Sequence, residues 1–418
     1  MAAHQAPQTT RARHQSLHHF VAESAWSDEE MLLRVAQWVV PAMDFQEGGW
    51  WIVDDTGFPK QGHHSVGVAR QYCGMLGKQD NCQVAVSVSL AFQAGSLPVA
   101  WRLYLPQQWM DDRARCDKAG VPQAVQFATK AQIALAQIER LMAQGAPRHC
   151  VLADAGYGVD TAFRERLSEL GLPYVVGVTG SVTVWPAGHA PLPPAPYSGK
   201  GVRPTRQRLG HDVHERPQSV KELAHVLAPS HWHSIEWREG SNFTLRSRFA
   251  RVRVRAAHRE YLRTEQRPQQ WLLIEWPEGH KEPMKYWLST LAQDVPLQRM
   301  VYEAKMRWRI ERDYQDLKQE LGLGHFEGRG WRGFHHNASL SIAAYGFLMA
   351  WRLRHDQDAG KKNAARSEEP ALPTHYKPRG SPSHATPRPI VHHDFAAAYR
   401  SSLGSNAAAM SVLPATEC

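Results

Sequence analysis

Two adjacent aspartates lie in a short stretch that combines an apolar run, a pair of carboxylates and a turn. The stretch reads WWIVDDTGFPKQG and covers residues 50–62. Its apolar start predicts a short buried strand, 50–53, that ends on Asp54 and Asp55. Such a strand can end there because a polar turn follows, or because a carboxylate at its tip holds a ligand. The positions of the other charged residues in the chain help to decide between these two interpretations.

Two more carboxylates stand where a site could form. Asp154 directly follows a second apolar run, CVLA, and Glu311 lies in a long amphipathic helix predicted over 299–321. Functional groups gather at the carboxyl ends of strands in α/β sheets, so carboxylates distant in sequence can meet there. We therefore expect one of Asp54 and Asp55 to lie near Asp154 and Glu311.

Carboxylate oxygens indicate a particular chemistry, because they are the hard ligands that Mg²⁺ and Mn²⁺ prefer. Two such ions can activate an attacking hydroxyl and stabilise the leaving oxygen of a phosphodiester, with no organic cofactor. Simpler interpretations remain open. Each aspartate can be a turn residue. Glu311 can form a surface ion pair with Arg307 and Lys318, which lie on the same flank of the predicted helix.

The elements that would position these residues form a mixed α/β pattern. Strands are predicted where apolar or alternating runs occur, at 50–53, 82–92, 97–105, 150–153 and 172–178. Helices are predicted where apolar residues recur at helical spacing, at 16–43 (with a start at Ser27), 123–144, 159–170, 299–321 and 335–354. Residues 181–295 open with a proline-rich stretch and then read as mostly β.

These elements divide the chain into five parts. The expected order is an N-terminal helical region (1–45), the first part of an α/β core (46–180), a β-rich insertion (181–298), core helices that carry Glu311 (299–355) and a tail (356–418). The tail is rich in Pro, Ser, Ala and charge, which predicts disorder.

Composition narrows the class of protein. The chain has 418 residues, 43% of them hydrophobic, and no apolar run of the length that a membrane span requires. The N-terminus has no signal-peptide pattern, which predicts a cytoplasmic protein, associated with the nucleoid when it acts. The five cysteines form no C-x-x-C pair, so neither a disulfide framework nor a zinc site is indicated. A net charge of +9 favours a polyanionic partner, nucleic acid first.

Three arginines alternate within the β-rich segment. Arg251, Arg253 and Arg255 would project from one face of a strand. They can form a solvated edge that resists aggregation, or a face that follows DNA phosphates. Both interpretations stay open from the sequence.

Three segments resemble the DDE transposases of bacterial insertion sequences, in the group with a β-rich insertion before the catalytic glutamate. They are VDDTGFPKQGHHSVGVARQYCGMLGKQDNCQ (53–83), VLADAGYG (151–158) and RWRIERDYQDLK (307–318). The last resembles that group's Tyr-Arg-Glu-Lys signature, in which Arg precedes Glu by four positions and Lys follows by seven. Arg307, Glu311 and Lys318 fit this spacing, and Ala304 stands at the tyrosine position.

The resemblance implies a ribonuclease-H-like mixed sheet flanked by helices and interrupted by the β insertion. It also implies two Mg²⁺ ions, replaceable by Mn²⁺, held by Asp55, Asp154 and Glu311. Asp55 is chosen because it directly precedes a threonine, and Asp54 is the second choice. By the same resemblance Arg307 and Lys318 contact DNA phosphates near the cut, with Lys60 as a further candidate.

The activity implied is that of a transposase. It would cleave at the terminal inverted repeats of an insertion sequence and transfer the freed strand into target DNA by cut-and-paste. It would act as a homodimer on the element ends, without a membrane or an organic cofactor. Two alternatives remain: a catalytically silent DNA-binding protein derived from a transposase, and a ribonuclease-H-like nuclease without strand transfer.

Overall fold

A computed structural model describes residues 7–209, 216–239, 244–258 and 263–367 of the chain. No helix among these residues is long and apolar enough to cross a membrane. The elements form one mixed sheet with helices packed against it, which confirms the predicted α/β class.

The first strand is longer than the sequence predicted. Strand β1 spans Gly49–Pro59, so Asp54 and Asp55 lie within it and not at its end. It pairs antiparallel along its whole length with β3 (Lys78–Phe92). On its other side it pairs in parallel with β5 (Cys150–Ala153), but only as far as the Val53–Ala153 pair. Beyond that pair, no strand of the described residues pairs with β1 on this side, and the sheet opens next to the aspartates.

The core of the sheet has the strand order β4-β3-β1-β5-β6. Strands β3 and β4 are antiparallel neighbours, and β5 and β6 run parallel to β1. The remaining core strands are β2 (Ala69–Cys73), β4 (Gly95–Leu103) and β6 (Tyr174–Val178). Strand β2, which pairs with the polar beginning of β3, was not predicted because its ARQYC sequence shows no apolar alternation.

The β-rich segment continues the core sheet. Its strand β12 pairs antiparallel with β6, and β11 and β10 follow outward. The segment's strands are β7 (Thr183–Trp185), β8 (Gln218–Ser219), β9 (His233–Glu239), β10 (Thr244–Ala256), β11 (Gln270–Glu275) and β12 (Lys285–Ser289). The sheet therefore reaches without a break from the aspartate-bearing strand into the predicted insertion.

Helices cover both faces of the sheet. They are α1 (Pro7–Ala22), α2 (Asp28–Val39), α3 (Gln107–Met110), α4 (Arg113–Lys118), α5 (Lys130–Ala143), α6 (Ala155–Gly158), α7 (Thr161–Glu169), α8 (Val220–Val226), α9 (Leu297–Lys305), α10 (Trp308–Gln319) and α11 (Trp331–Ser367). Ser27 caps α2 as predicted, because its side chain accepts a hydrogen bond from the backbone N–H of Glu30.

Three helical predictions differ from the structure. The region predicted as one helix at 16–43 is divided into α1 and α2. The helix predicted at 299–321 is interrupted at Met306 and Arg307, which places Arg307 at the N-terminal end of α10. Helix α11 continues to Ser367, past the predicted start of the tail, and the rest of the tail lies outside the described residues.

Candidate active site

Strand pairing places Asp54 beside Asp154. Val53 and Ala153 are the last partners in the parallel pairing of β1 with β5, so the next residues are Asp54 and Asp154. Partners in a parallel pair project from the same face of a sheet. Asp154 caps α6 and accepts a hydrogen bond from the backbone N–H of Gly156 at 2.9 Å. The two carboxylates thus share the opening where β5 ends.

Arg307 joins this pair to Glu311. Its Nη1 donates to Asp54 Oδ2 at 2.6 Å, and its Nη2 donates to Glu311 Oε1 at 2.7 Å. The Asp54 side chain is 13% exposed and that of Glu311 is 62% exposed, so the guanidinium bridges a buried and an open carboxylate. The interruption between α9 and α10 gives Arg307 this position.

The charge balance of the site is acidic. Burial raises the pKa of Asp54 to about 7; Arg307 opposes the rise, whereas Asp154 and Asp55 add to it. The pKa of Arg307 is raised by its acidic neighbours Asp54, Glu311 and Asp154, although burial works in the other direction. The single positive charge of Arg307 therefore does not offset the burial of Asp54 and its two acidic neighbours.

This donor set fits a divalent cation. Asp54 and Asp154 offer hard oxygen ligands on one face, and Arg307 shows that a positive charge is accommodated between Asp54 and Glu311. The described residues contain no group of three His, Cys, Asp or Glu side chains close enough to hold a metal ion together. In this conformation Asp54 and Asp154 are the two carboxylates that lie side by side. Glu311 is bonded to Arg307 at the exposed edge of the site.

Asp55 lies on the opposite face of β1. Its Oδ2 accepts hydrogen bonds from Lys130 Nζ at 3.1 Å and from the Tyr157 hydroxyl at 3.3 Å. Burial, and Asp55 next, raise the pKa of Tyr157 well above its usual value, so the phenol keeps its proton and donates. The contacts therefore connect Asp54, and not Asp55, to Arg307 and Glu311. The threonine that follows Asp55 had favoured Asp55 as the predicted metal ligand.

Tyr157 ties this second face to Asp154, because it lies on the short helix α6 that Asp154 caps. The helix packs closely on β6, since a Cβ on Gly158 would overlap the carbonyl oxygen of Gly177. Lys130 lies in the first turn of α5. Lys130 and Tyr157 were missed from the sequence; the position of Tyr157, three residues after Asp154, was the available signal.

The predicted lysines both contact the protein backbone. Lys318 Nζ donates to the Gly57 carbonyl at 2.7 Å and lies 4.6 Å from the centre of the Phe58 ring. Burial lowers its pKa to about 8. Lys60 Nζ donates to the Phe326 carbonyl at 2.6 Å, and its side chain is 10% exposed. Lys318 thus connects α10 to the end of β1 at Gly57, and Lys60 connects the residue after β1 to Phe326, which follows α10 in the chain.

The three alternating arginines also donate to backbone carbonyls. Arg251 bonds to Val295 and Arg255 to Arg267, while Arg253 Nη2 bonds to Gln269 at 2.7 Å. Arg251 and Arg253 both lie over the Trp271 ring, at 4.5 and 4.8 Å from its centre. The guanidinium groups are thus held against neighbouring loops and an aromatic ring.

A cleft of about 650 Å³ lies beside these carboxylates. The core contributes Asp154, Arg307 and Glu311 to its walls, and the insertion contributes Trp237, Met284, Tyr286 and Trp287.

A buried ion pair fixes the insertion against α9 at this cleft. Lys305 Nζ lies 2.7 and 2.8 Å from the two carboxylate oxygens of Glu275, with the ring centres of Trp237 and Trp287 within 5.6 Å. The insertion thereby forms one wall of the site.

Comparisons with known proteins identify the family to which the chain belongs. The sequence model of the DDE superfamily endonucleases matches residues 1–244, which include both aspartate positions and end before Glu311. A probable transposase for insertion sequence element IS701 from Microchaete diplosiphon is 32% identical over 178 residues. That match covers 42% of this chain and 44% of the relative, so less than half of the relative's length is spanned.

Among solved structures, the NurA nuclease from Sulfolobus solfataricus aligns with 80% of this chain and 95% of its own. Its TM-score of 0.27 and identity of 7% are too low to bear on the fold. The family match, in contrast, covers more than half of the sequence. The chain belongs to the DDE endonuclease superfamily.

Proposed function

We propose that the chain is a transposase that cleaves DNA at the terminal inverted repeats of an insertion sequence and transfers the freed end into target DNA. The observation that carries this proposal is that Arg307 bonds to both Asp54 and Glu311, next to a cleft that Asp154, Arg307 and Glu311 line. The similarity to a probable insertion-sequence transposase supports the direction of the proposal. We infer a homodimer on the element ends and action on DNA in the cytoplasm.

Asp54 and Asp154 would hold a divalent cation, Mg²⁺ with Mn²⁺ as a substitute, and Glu311 would complete a site for two ions. Such cations supply Lewis-acid stabilisation of the charge that develops on a phosphodiester. We assign Asp54 in place of Asp55, because Asp54 is the residue that shares a face with Asp154 and a guanidinium with Glu311.

Other residues of the chain would position the substrate. Arg307 lies between the carboxylates, and its guanidinium would be free to donate to a DNA phosphate if a bound cation offset the charge of Asp54. Asp55 and Tyr157 fix α6, and so the Asp154 backbone, relative to β1. Lys318 holds the Gly57 carbonyl and keeps β1 against α10. The Lys305–Glu275 pair keeps the insertion wall of the cleft in place.

A cleavage assay tests the proposal. The substrate is DNA that carries both flanks of this gene, incubated with Mg²⁺ or Mn²⁺ and the wild type or Asp154→Asn. We expect metal-dependent cuts at the element ends, followed by strand transfer, and neither product with Asp154→Asn. End binding without cleavage by either protein would instead identify a catalytically silent DNA-binding protein. Cleavage without strand transfer would identify a nuclease.

A further inference from the structure

A second cavity lies between helix α7 of the core and strands β10 and β11 of the insertion. Its volume is about 500 Å³, and it shares no lining residue with the cleft that holds Asp154. Among the described residues, four arginines line it, together with two glutamates, Glu165 and Glu169. We call this cavity the arginine pocket, after Arg164, Arg253, Arg263 and Arg267.

The acidic charge of the arginine pocket is already matched. Glu165 Oε1 accepts hydrogen bonds from Arg263 at 2.8 Å and from Arg267 at 2.9 Å. Glu169 accepts one from Arg166, which lies outside the pocket lining, at 3.0 Å. Four arginines against two glutamates leave the described part of the lining with an excess of positive charge.

Two of the arginines hydrogen-bond to neutral groups. Arg164 donates to the Gly158 carbonyl and, at 3.1 Å, to Thr161 Oγ1. Arg253 donates to the Gln269 carbonyl at 2.7 Å. Arg164 is buried and Arg253 is half-buried, and this burial lowers the pKa of both guanidinium groups. Because hydrogen bonds between charged groups are stronger than those to neutral oxygens, an anion is the ligand that this lining favours.

Spare donors are available for such an anion. Among the described residues Arg263 Nε is buried and has no hydrogen-bond partner. Arg253 is oriented by the Trp271 ring, 4.8 Å from its guanidinium carbon, and the hydrogen bond to Gln269 uses one of its nitrogens. A planar guanidinium that is held in place matches the oxygens of a phosphate group.

The position of the arginine pocket relates it to the proposed active site. Strand β6 passes from Tyr174, in the pocket lining, to Val178, in the cleft lining. Four steps along a strand cover about 13 Å. One phosphate group cannot occupy both places, but two phosphates of the same DNA can.

We propose that the arginine pocket binds the phosphodiester backbone of DNA at a distance from the phosphate that reacts. The inference rests on the proposed function, since it takes DNA to be the substrate. It adds a site that lies between α7 and the insertion, and it gives the insertion a role in holding DNA as well as in forming the wall of the cleft.

The test measures DNA binding without metal, so that it does not depend on cleavage. A duplex carrying the gene's flanks is titrated in EDTA at several salt concentrations with the wild type, Arg253→Gln and Arg263→Gln. We expect each variant to bind roughly three- to tenfold more weakly and to lower the slope of log K against log salt by about one. Thermal melting confirms that each variant is folded.

Arg251→Gln is the matched control, because Arg251 lies on the same strand and against the same Trp271 ring but outside the pocket lining. We expect it to retain the wild-type slope. Equal losses for Arg251→Gln and Arg253→Gln would show that the strand face and not the pocket holds DNA, and would overturn the proposal. Wild-type slopes for both pocket variants would overturn it as well.

A second arm separates DNA from a small phosphate ligand. Inorganic pyrophosphate is added to the wild type and to Arg253→Gln, and the melting temperature is measured. Stabilisation of the wild type alone, with no change of salt slope in Arg253→Gln, would assign the pocket to a free phosphate compound and overturn the DNA assignment. If the pocket variants lower the salt slope but the wild type does not cleave DNA, the arginine pocket remains a DNA-binding site and the transposase reaction is rejected.

Discussion

The two faces of strand β1 place neighbouring aspartates in different surroundings. Asp54 faces Asp154 and the Arg307–Glu311 pair, beside the cleft that Asp154, Arg307 and Glu311 line. Asp55 faces Lys130 and the buried hydroxyl of Tyr157. One face gathers carboxylates that lack enough positive charge, whereas the other supplies a lysine and a phenol to a single carboxylate.

This difference indicates that the two faces of β1 have different functions. A buried carboxylate with acidic neighbours, as Asp54 is, is unfavourable without a nearby positive charge, so this arrangement favours the binding of a cation. A carboxylate that already has a lysine and a hydroxyl as partners is satisfied and can act as a support. We therefore infer that the Asp54 face binds the ligand and that the Asp55 face positions it.

The largest expected effect is that of Asp54→Asn. This change keeps the side-chain shape but removes the charge that would hold a cation, and we expect cleavage to fall by about a thousandfold or more. The measurement is the initial rate of end cleavage with Mg²⁺. DNA binding in EDTA serves as the control and should remain within a few fold of the wild type. An Asp54→Asn enzyme that cleaves normally would show that Asp54 is not a metal ligand.

Asp55→Asn should have a smaller effect of a different kind. The amide oxygen can still accept the hydrogen bond from Tyr157, but the ion pair with Lys130 is lost. Supporting residues around metal sites typically contribute about 10- to 100-fold to affinity or activity. We expect a loss of that size, which higher Mg²⁺ concentrations partly restore. If no metal concentration restores activity and the loss equals that of Asp54→Asn, then Asp55 is itself a ligand.

The sequence could predict that an aspartate pair matters, but not which member faces the site. Alternation along a strand puts Asp54 and Asp55 on opposite faces whatever the fold. The choice depends on which face helix α10 covers, and that is set by packing between residues more than 250 positions apart, such as Arg307 and Asp54. The local rule based on the following threonine contains no such information.

The fold could be predicted where residues are both buried and periodic. Strands β3 to β6 lie close to their predicted positions, because their apolar runs are continuous or alternate. Helix α10 shows the limit of this approach. Asp313 in this helix is 2% exposed and accepts hydrogen bonds from Ser96 and Tyr345. A buried acid on a helix can be recognised only when its distant partners are known.

Lys318→Met tests the Asp54 face through its pH dependence. The fold lowers the pKa of Lys318 from 10.5 to about 8 by burial, so between these values the unfolded chain binds more protons than the native protein. Stability contributed at this residue must therefore rise with pH between about 8 and 10.5. We expect the free energy of unfolding of the wild type, relative to Lys318→Met, to increase by about 1–3 kcal/mol across that window.

Urea unfolding at a series of pH values provides the measurement for Lys318. The difference between the two proteins isolates this lysine from the other groups that titrate in alkali. A difference that stays constant from pH 8 to 10.5 would show that Lys318 titrates as an ordinary exposed lysine.

The smallest effect is expected on the Asp55 face, for Tyr157→Phe. The change removes one hydrogen bond to a carboxylate and leaves the ring in place, so unfolding free energy should fall by about 1 kcal/mol and cleavage by less than tenfold. Tyr286→Phe is the matched control for stability, because the Tyr286 hydroxyl is buried without a partner among the described residues. Its removal should be neutral or stabilising, since no hydrogen bond is lost and a desolvated polar group is deleted. If both variants lose the same stability in urea, the Tyr157–Asp55 contact contributes nothing, and the support assigned to this face must come from Lys130 alone.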